Sequence, residues 1–456
     1  MAYYILKSYK LKVTADKIFT ALSRNSHCFF LDSCLNFSGM GRYSFLGVDP
    51  FLTLKIKAKD PFSILREHLE KYKISAPKNS PPFLGGAVGY LTYDLGLILE
   101  KKIRTRPKQE LGLPDAAFGF YNTVVIIDHL ASRIYICASG FPERKSSLEN
   151  SLAETNLKKI YNLICESISK EAENNHNPFS FGHKTIESNF SKEGYIRAIK
   201  KAKEYIRCGD IYQVNLSQRF HAETNLSGIQ IYQRLRSLSK ACFNAYFNAG
   251  ESEILSSSPE RFLSLRNNRV VTRPMKGTRP RSKNKKQDVF LKKELLDSPK
   301  DKAELMMVTD LERNDLGKVC NYDSVKVTKL RELEAYKTVY QATSTIEGKL
   351  YKDKDRIDLL RACFPGGSIT GCPKIRAMEI IEELEPDRRS IYTGVLGYLS
   401  FSGDMDFNIL IRTILKKDND LYFGVGGGIV TDSDPQEEYQ ETLVKAKAIF
   451  KALGTR

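Results

Sequence analysis

GDIYQVNLSQ, residues 209–218, is the stretch on which the architecture turns. It follows SKEGYIRAIKKAKEYIRC, where Ser191 is a helix N-cap candidate. Tyr195, Ile199, Ala202 and Ile206 share one helical face there, and Gly209 is the stop signal. The next residues alternate, with Tyr212, Val214 and Leu216 facing one way and Gln213, Asn215 and Ser217 the other. A strand carrying two amides and a hydroxyl on one face either sits at a sheet edge or lines a polar cavity. Working outward, YNTVVIID (121–128) and RIYICAS (133–139) are strand-like around a polar turn. Leu152, Leu157, Ile160, Leu163, Ile164 and Ile168 give 148–170 a helical spacing. Helices and strands alternate, so the fold class is α/β (α+β). EAENNHNPFSFGH (171–183), punctuated by Pro178 and Gly182, is the best linker candidate. It marks an N-terminal region, 1–170, a linker, 171–190, and a C-terminal region, 191–456, without requiring that they be independent domains.

The chain has 456 residues, 41% hydrophobic and 10% aromatic, enough for a large core. No apolar run approaches the roughly 18 residues of a membrane span, and MAYYILKSYKLKVTADK has no signal-peptide core. A cytoplasmic location is therefore expected. Nine cysteines lie scattered without a CxxC pair, and six histidines without HxxxH, so neither a disulfide framework nor structural zinc is expected. The net charge of +17 admits nucleic acid, anionic membrane or acidic small molecules as partners. Its densest run, RSKNKK (281–286), has no aromatic neighbours and fits no nucleic-acid motif. Neither nucleic acid nor membrane is expected as a partner.

Several stretches carry chemistry. RPMKGTRPR (273–281) places Lys276 in what reads as a proline- and glycine-marked turn. At neutral pH only about one free lysine in a thousand is an amine, and crowding by Arg273, Arg279 and Arg281 with partial burial would favour that form. Glu260 in SSSPERF lies upstream, either an ion-pair partner or a general acid. In DKAELMMVTDLERNDLGKV (301–319), Glu304, Met307, Leu311 and Asp315 fall close to one helical face. Asp434 and Pro435 open a C-terminal helix with Glu438 and Glu441 three apart on one face, suiting either Mg²⁺ or the helix dipole. FPGGSITGCPK (364–374) precedes a helix and offers backbone amides to an anion, though it is no P-loop. FGVGGGIV (423–430) lets a ligand approach the backbone.

Taken in order, GDIYQVNLSQ, SSSPERF, RPMKGTRPR, AELMMVTDLERNDLGKV, FPGGSITGCPKIRAMEIIEELEP, YTGVLGY, NILIRT and GGGIVTDSDPQEEYQET resemble the chorismate-utilising enzymes. That family holds anthranilate, aminodeoxychorismate, isochorismate and salicylate synthases. GRYSFLGVDP (41–50) extends the resemblance into the N-terminal half. The resemblance implies two stacked antiparallel sheets flanked by helices, with the two halves interleaved. Four positions discriminate between members. Lys276 resembles the aminodeoxychorismate synthases, whose lysine forms a covalent adduct, where anthranilate synthases usually carry alanine. Gln213 replaces the water-activating lysine of isochorismate and salicylate synthases, and an amide cannot act as that base. Gln341 replaces a histidine that anthranilate synthases use to expel pyruvate. Asn408 points the same way more weakly.

The resemblance implies amination of chorismate at C4, with Lys276 as nucleophile and Glu260 as acid. It implies Mg²⁺ on Glu304 and Glu441, with Glu438 in or beside the shell. Arg412, Tyr392 and the amides around Gly426, Gly427 and Gly428 would hold the substrate. Partners implied are a glutamine amidotransferase subunit that supplies ammonia and a separate aminodeoxychorismate lyase. Leu31 and Ser33, in FLDS, lie where relatives bind tryptophan, although a plain strand end accounts for them equally. Two alternatives stay open: an anthranilate synthase component, and a non-catalytic basic protein that keeps the fold.

Overall fold

The computed structural model describes residues 3–10, 13–34, 40–77, 79–143, 145–170, 185–336 and 339–454. The linker stretch 171–183, with Pro178 and Gly182, lies outside the described residues, as does the side chain of Ile168. Two antiparallel sheets of twelve and ten described strands organise the chain, counting Glu187–Ser188, beside Gln213–Glu223, and Lys326–Ala335, beside Val339–Lys349, which lie off the main order. The larger runs Tyr4–Tyr9, Arg133–Ser139, Thr123–Asp128, Tyr43–Gly47, Phe29–Asp32 and Phe243–Asn248. It continues through Glu253–Ser258, Thr413–Lys417, Asp420–Ile429 and Gln213–Glu223 to Gly371–Cys372. The smaller runs Met275–Pro280, Val339–Lys349, Arg269–Arg273, Arg261–Arg266, Met405–Ile409, Val395–Ser400, Gly86–Leu91, Ala116–Tyr121 and Leu52–Ile56.

The halves interleave inside both sheets. Phe29–Asp32 pairs with Phe243–Asn248 in one, and Gly86–Leu91 with Val395–Ser400 in the other. Neither half could bury its own sheet faces alone, so one apolar cluster, including Tyr90, Phe120, Leu216, Leu399 and Phe401, draws on both. Asn408 is part of that joint. Its Nδ2 donates to Phe243 O at 3.0 Å and its Oδ1 accepts from Leu396 N at 3.2 Å, tying the smaller sheet to the larger. Asn408→Ala strands both backbone groups in the interior and is expected to cost about 1–3 kcal/mol, read as a lower urea midpoint.

The opening strand settles at Gln213–Glu223, between Asp420–Ile429 and Gly371–Cys372. Both of its faces are interior, which is why Gln213, Asn215 and Ser217 are as buried as Val214 and Leu216. Tyr212 corrects the expected alternation. It precedes the strand, is 71% exposed, and donates its N–H to Cys372 O, so it shares no face with Val214 and Leu216.

Three helices frame the site. Lys192–Arg207 starts on Ser191, whose hydroxyl accepts from Gly194 N, and buries Tyr195, Ile199 and Ala202. Pro435–Ala452 starts on Asp434, which accepts from the amides of Gln436 and Glu437, with Pro435 at its first position. Pro299–Gly317 buries Leu305, Val308, Thr309, Glu312, Asp315 and Leu316. That face is rotated from the expected one. Glu304, Met307 and Leu311 sit at its half-buried edge, because the helix packs on the Met275–Pro280 and Val339–Lys349 strands and on the loop at Gly367–Ile369.

Candidate active site

Lys276 lies on an edge strand, Met275–Pro280, not in a free turn. The register with Val339–Lys349 slips between Lys276 and Thr278, where Gly277 adopts φ 81°. This bulge is the local device that re-aims the lysine. A Cβ at Gly277 would press on Leu295 and Asp301, so the bulge also lets two helices approach. The expected crowding by arginines does not occur. Arg273 pairs with Glu334, Arg279 with Glu294 and Asp301, and Arg281 with Asp288. Each guanidinium is drawn to a carboxylate on a neighbouring element. What surrounds Lys276 is acidic: its charge acts on Glu260, Glu304 and Glu441, and its Nζ donates to Ser368 O at 3.1 Å.

Glu260 follows the strand Glu253–Ser258 and is buried. Burial pushes its carboxyl up to about 7, against the Ser368 hydroxyl, Lys276 and the Met275 amide, which favour the ionised form. Glu260 Oε1 and Ser368 Oγ are both buried without a well-aligned hydrogen-bond partner among the described residues. A neutral carboxyl beside a lysine is a proton donor poised near neutrality.

The carboxylates come from two facing helices. Glu304 makes no hydrogen bond or ion pair with a described residue, and burial raises its pKa, with Glu438 adding to the rise. Glu438 is buried, accepting from Ser433 Oγ at 2.6 Å and Lys300 Nζ at 3.0 Å. Glu441 is half exposed and pairs with Lys445 at 2.8 Å, which lowers its pKa. Among the described residues no three acidic, cysteine or histidine groups stand close enough to enclose an ion. Two oxygen donors suffice for Mg²⁺, which keeps waters and takes substrate oxygens, and Glu304 in its unpaired state suits a cation. Asp315 belongs elsewhere: it is a paired core carboxylate, bound by Lys318 at 2.8 Å and Lys374 at 2.5 Å.

The glycine run is strand, within Asp420–Ile429, paired with the opening strand: Gly426 faces Ser217, Gly427 faces Leu216 and Gly428 faces Asn215. A Cβ at Gly427 would come within 3.1 Å of Glu438 Oε2. One at Gly428 would collide with the Gln213 amide and lie 3.5 Å from Glu304 Oε2. Missing side chains thus make a floor of the larger sheet over which the acids of the two helices meet Gln213. Gln213 reaches this floor. Its neighbours on the polar face do structural work, Asn215 Nδ2 donating to Ile369 O and Ser217 holding Glu385, the partner of Arg389.

Arg412 is half-buried, makes no ion pair or side-chain hydrogen bond with a described residue, and adopts φ 51°. Burial lowers its pKa. Thr393 at φ 61° and Ser390 at φ 55° flank the buried Tyr392, whose hydroxyl burial pushes up. Three non-glycine residues in the left-handed region, costing of order 1–3 kcal/mol each, mark a constrained site. A small pocket opens beside Tyr392, lined by Arg219, Glu385, Arg389, Thr413 and Gly424. Neither Lys276 nor Glu260 lines it, so the reactive groups lie elsewhere. Gln341, opposite Thr278, is buried on the strand beside Lys276. Leu31 and Ser33 lie at the end of Phe29–Asp32, where Ser33 Oγ donates to Tyr43 O at 2.7 Å, a strand-end bond. The loop at 364–374 contributes a carbonyl to Lys276, and Lys374 turns inward to Asp315.

Residues 26–451 match the family model described as chorismate binding enzyme. The chain belongs to the chorismate-binding enzyme family. This chorismate-binding enzyme is 37% identical to anthranilate synthase component 1 of Acetivibrio thermocellus, over 96% of this chain and 92% of that one. It is 39% identical to aminodeoxychorismate synthase component 1 of Klebsiella aerogenes, over 88% of this chain and 84% of that one. The structure of anthranilate synthase component I from Streptococcus pneumoniae TIGR4 superimposes with a TM-score of 0.78 at 32% identity, covering 89% of this chain and 91% of the other. Relatives of both names stand at similar distance. No described helix is long and apolar enough to cross a membrane, and all nine cysteines are free.

Glu312, Ser368, Lys300 and Lys445 escaped the sequence reading. The signal for Glu312 was present: an acid four residues after Val308 and three before Asp315, on a buried helical face.

Proposed function

We propose that this chorismate-binding enzyme aminates chorismate at C4 to give 4-amino-4-deoxychorismate through a covalent Lys276 adduct. The observation that carries the reading is the buried Glu260, whose carboxyl burial pushes up to about 7, held with Lys276 around Ser368. Lys276 Nζ, as the free amine, attacks C2, both ring double bonds shift one place along C1, C6 and C5, and the C4–O bond breaks. Glu260 gives its proton to the departing hydroxyl, which leaves as water. Ammonia then forms a bond at C4, both double bonds shift back, and the C2–N bond returns its electron pair to Lys276. Two easier substitutions replace one difficult one. Gln213 and Gln341, both amides, provide no base for adding water or for expelling pyruvate.

Glu304 and Glu441, with Glu438 beside them, would hold Mg²⁺, which supplies positive charge for the ring carboxylate. Arg412 offers its unpaired guanidinium to a substrate carboxylate, for which its planar fork is suited. Arg412→Ala is expected to raise KM for chorismate roughly 30-fold, with a smaller change in kcat, in ammonia-dependent assays. Tyr392 and the Gly426–Gly428 backbone complete the cradle. A glutamine amidotransferase subunit would supply the ammonia, as the component 1 names of the relatives suggest, and a separate lyase would release pyruvate. The second reading, an anthranilate synthase component, is favoured by relatives of that name at similar identity. Product identity decides: fluorescent anthranilate made directly from chorismate, Mg²⁺ and ammonia would overturn the first reading.

A further inference from the structure

Beneath Glu260 lies a second acid, Glu312, that the mechanism above does not use. Two contacts of one hydroxyl fix its protonation. Thr272 Oγ1 stands 2.6 Å from Phe262 O and 2.7 Å from Glu312 Oε2. A carbonyl oxygen only accepts, so the threonine proton must lie toward Phe262. The second short oxygen–oxygen contact then needs a proton of its own, and only Glu312 can bring it. We infer that Glu312 is a neutral carboxylic acid that donates to Thr272, and that it is a positioning residue for Glu260.

The surroundings agree. Glu312 is buried on the helix Pro299–Gly317, with its Cγ 3.2 Å from where a Cβ at Gly367 would stand, one residue before Ser368. It therefore braces both the strand leading from Glu260 and the loop that receives Lys276. The charged groups acting on it are Glu260 and Asp315, which disfavour ionisation, and Lys374, which favours it. Burial is the largest influence, and the carboxyl is pushed up to about 8. Its neutrality has a consequence for the acid step. An ionised Glu312 would fix the proton on Glu260, whereas a neutral one leaves Glu260 able to release it and take it back. This consequence rests on Glu260 being the general acid; the protonation of Glu312 does not.

The test is infrared spectroscopy of the full chain, wild type against Glu312→Gln, at pH 6.5 and through a titration to pH 10. A protonated-carboxyl C=O band at pH 6.5 should be present in wild type and missing from the variant. In Glu260→Gln the same band should disappear about one pH unit lower than in wild type, because the neighbouring charge has gone. Glu312→Gln keeps a neutral donor and should retain ammonia-dependent turnover within about threefold at pH 6.5. Glu312→Leu, without the donor, should lose about tenfold or more. Spectra of wild type and Glu312→Gln that coincide at pH 6.5 would overturn the inference. A Glu312 band indifferent to Glu260→Gln would reduce Glu312 to a packing residue. Full turnover by Glu260→Gln would instead sink the general-acid assignment and leave the Glu312 band untouched.

Discussion

Lys276→Ala is expected to lose at least about 10³-fold in ammonia-dependent turnover of chorismate, because the proposed covalent step loses its nucleophile. The decisive measurement is intact-protein mass after incubation with chorismate and Mg²⁺ in the absence of ammonia. Wild type should gain the mass of chorismate less one water, since the C4 hydroxyl leaves as the C2–N bond forms. The variant should gain nothing. Ammonia added afterwards should discharge the wild-type adduct. The bulge at Gly277 explains why the effect is specific to this position: it turns the amine toward Ser368 and the field of Glu260, Glu304 and Glu441. If wild type forms no adduct yet makes anthranilate with ammonia, Lys276 is a bystander and the second reading holds.

Glu260→Gln should lower kcat by roughly 10²–10⁴-fold, the range for loss of a positioned proton donor. The sign of its pH dependence follows from burial. The carboxyl is pushed up to about 7, above its ordinary range, so the acid form is populated below that pH and lost above it. Wild-type turnover should therefore fall as pH rises through about 7, and this limb should vanish from the residual activity of the glutamine variant. The same shift acts on stability. A carboxyl that stays protonated in the folded chain, while the unfolded chain releases its proton, makes folding less favourable as pH rises between about 4.5 and 7. Glu260→Gln should thus melt higher than wild type at pH 8 and nearly level with it at pH 4. A variant that loses activity and also melts lower at both pH values would have failed in folding, not in proton donation.

Much of the fold was legible in the chain. Helix starts at Ser191 and Asp434 depend on side-chain oxygens two or three residues from the amides they cap, so local sequence suffices. The strands Thr123–Asp128 and Arg133–Ser139 declare themselves by residue type. Long-range partners were not legible. The fate of Arg273, Arg279 and Arg281 depended on Glu334, Glu294, Asp301 and Asp288, acids brought in by separate elements. Proline and glycine suggested a turn at Lys276. An edge strand absorbed both, because a bulge tolerates the glycine and pairing with Val339–Lys349 outweighs the local preference.

The sequence by itself determined the residue types and their order: a lysine, an acid upstream, acids on two helices, and a glycine run without side chains. Those depend only on covalent connectivity and local propensity. Tertiary structure decided which of these groups share a field. It put Glu304 of one helix against Gly428 and Gln213 of the larger sheet, left Arg412 without an ion pair among the described residues, removed Asp315 into a lysine pair, and set Glu312 within the field of Glu260. Proton affinities and charge pairing depend on distance and burial, and neither exists until the interleaved halves close on one core.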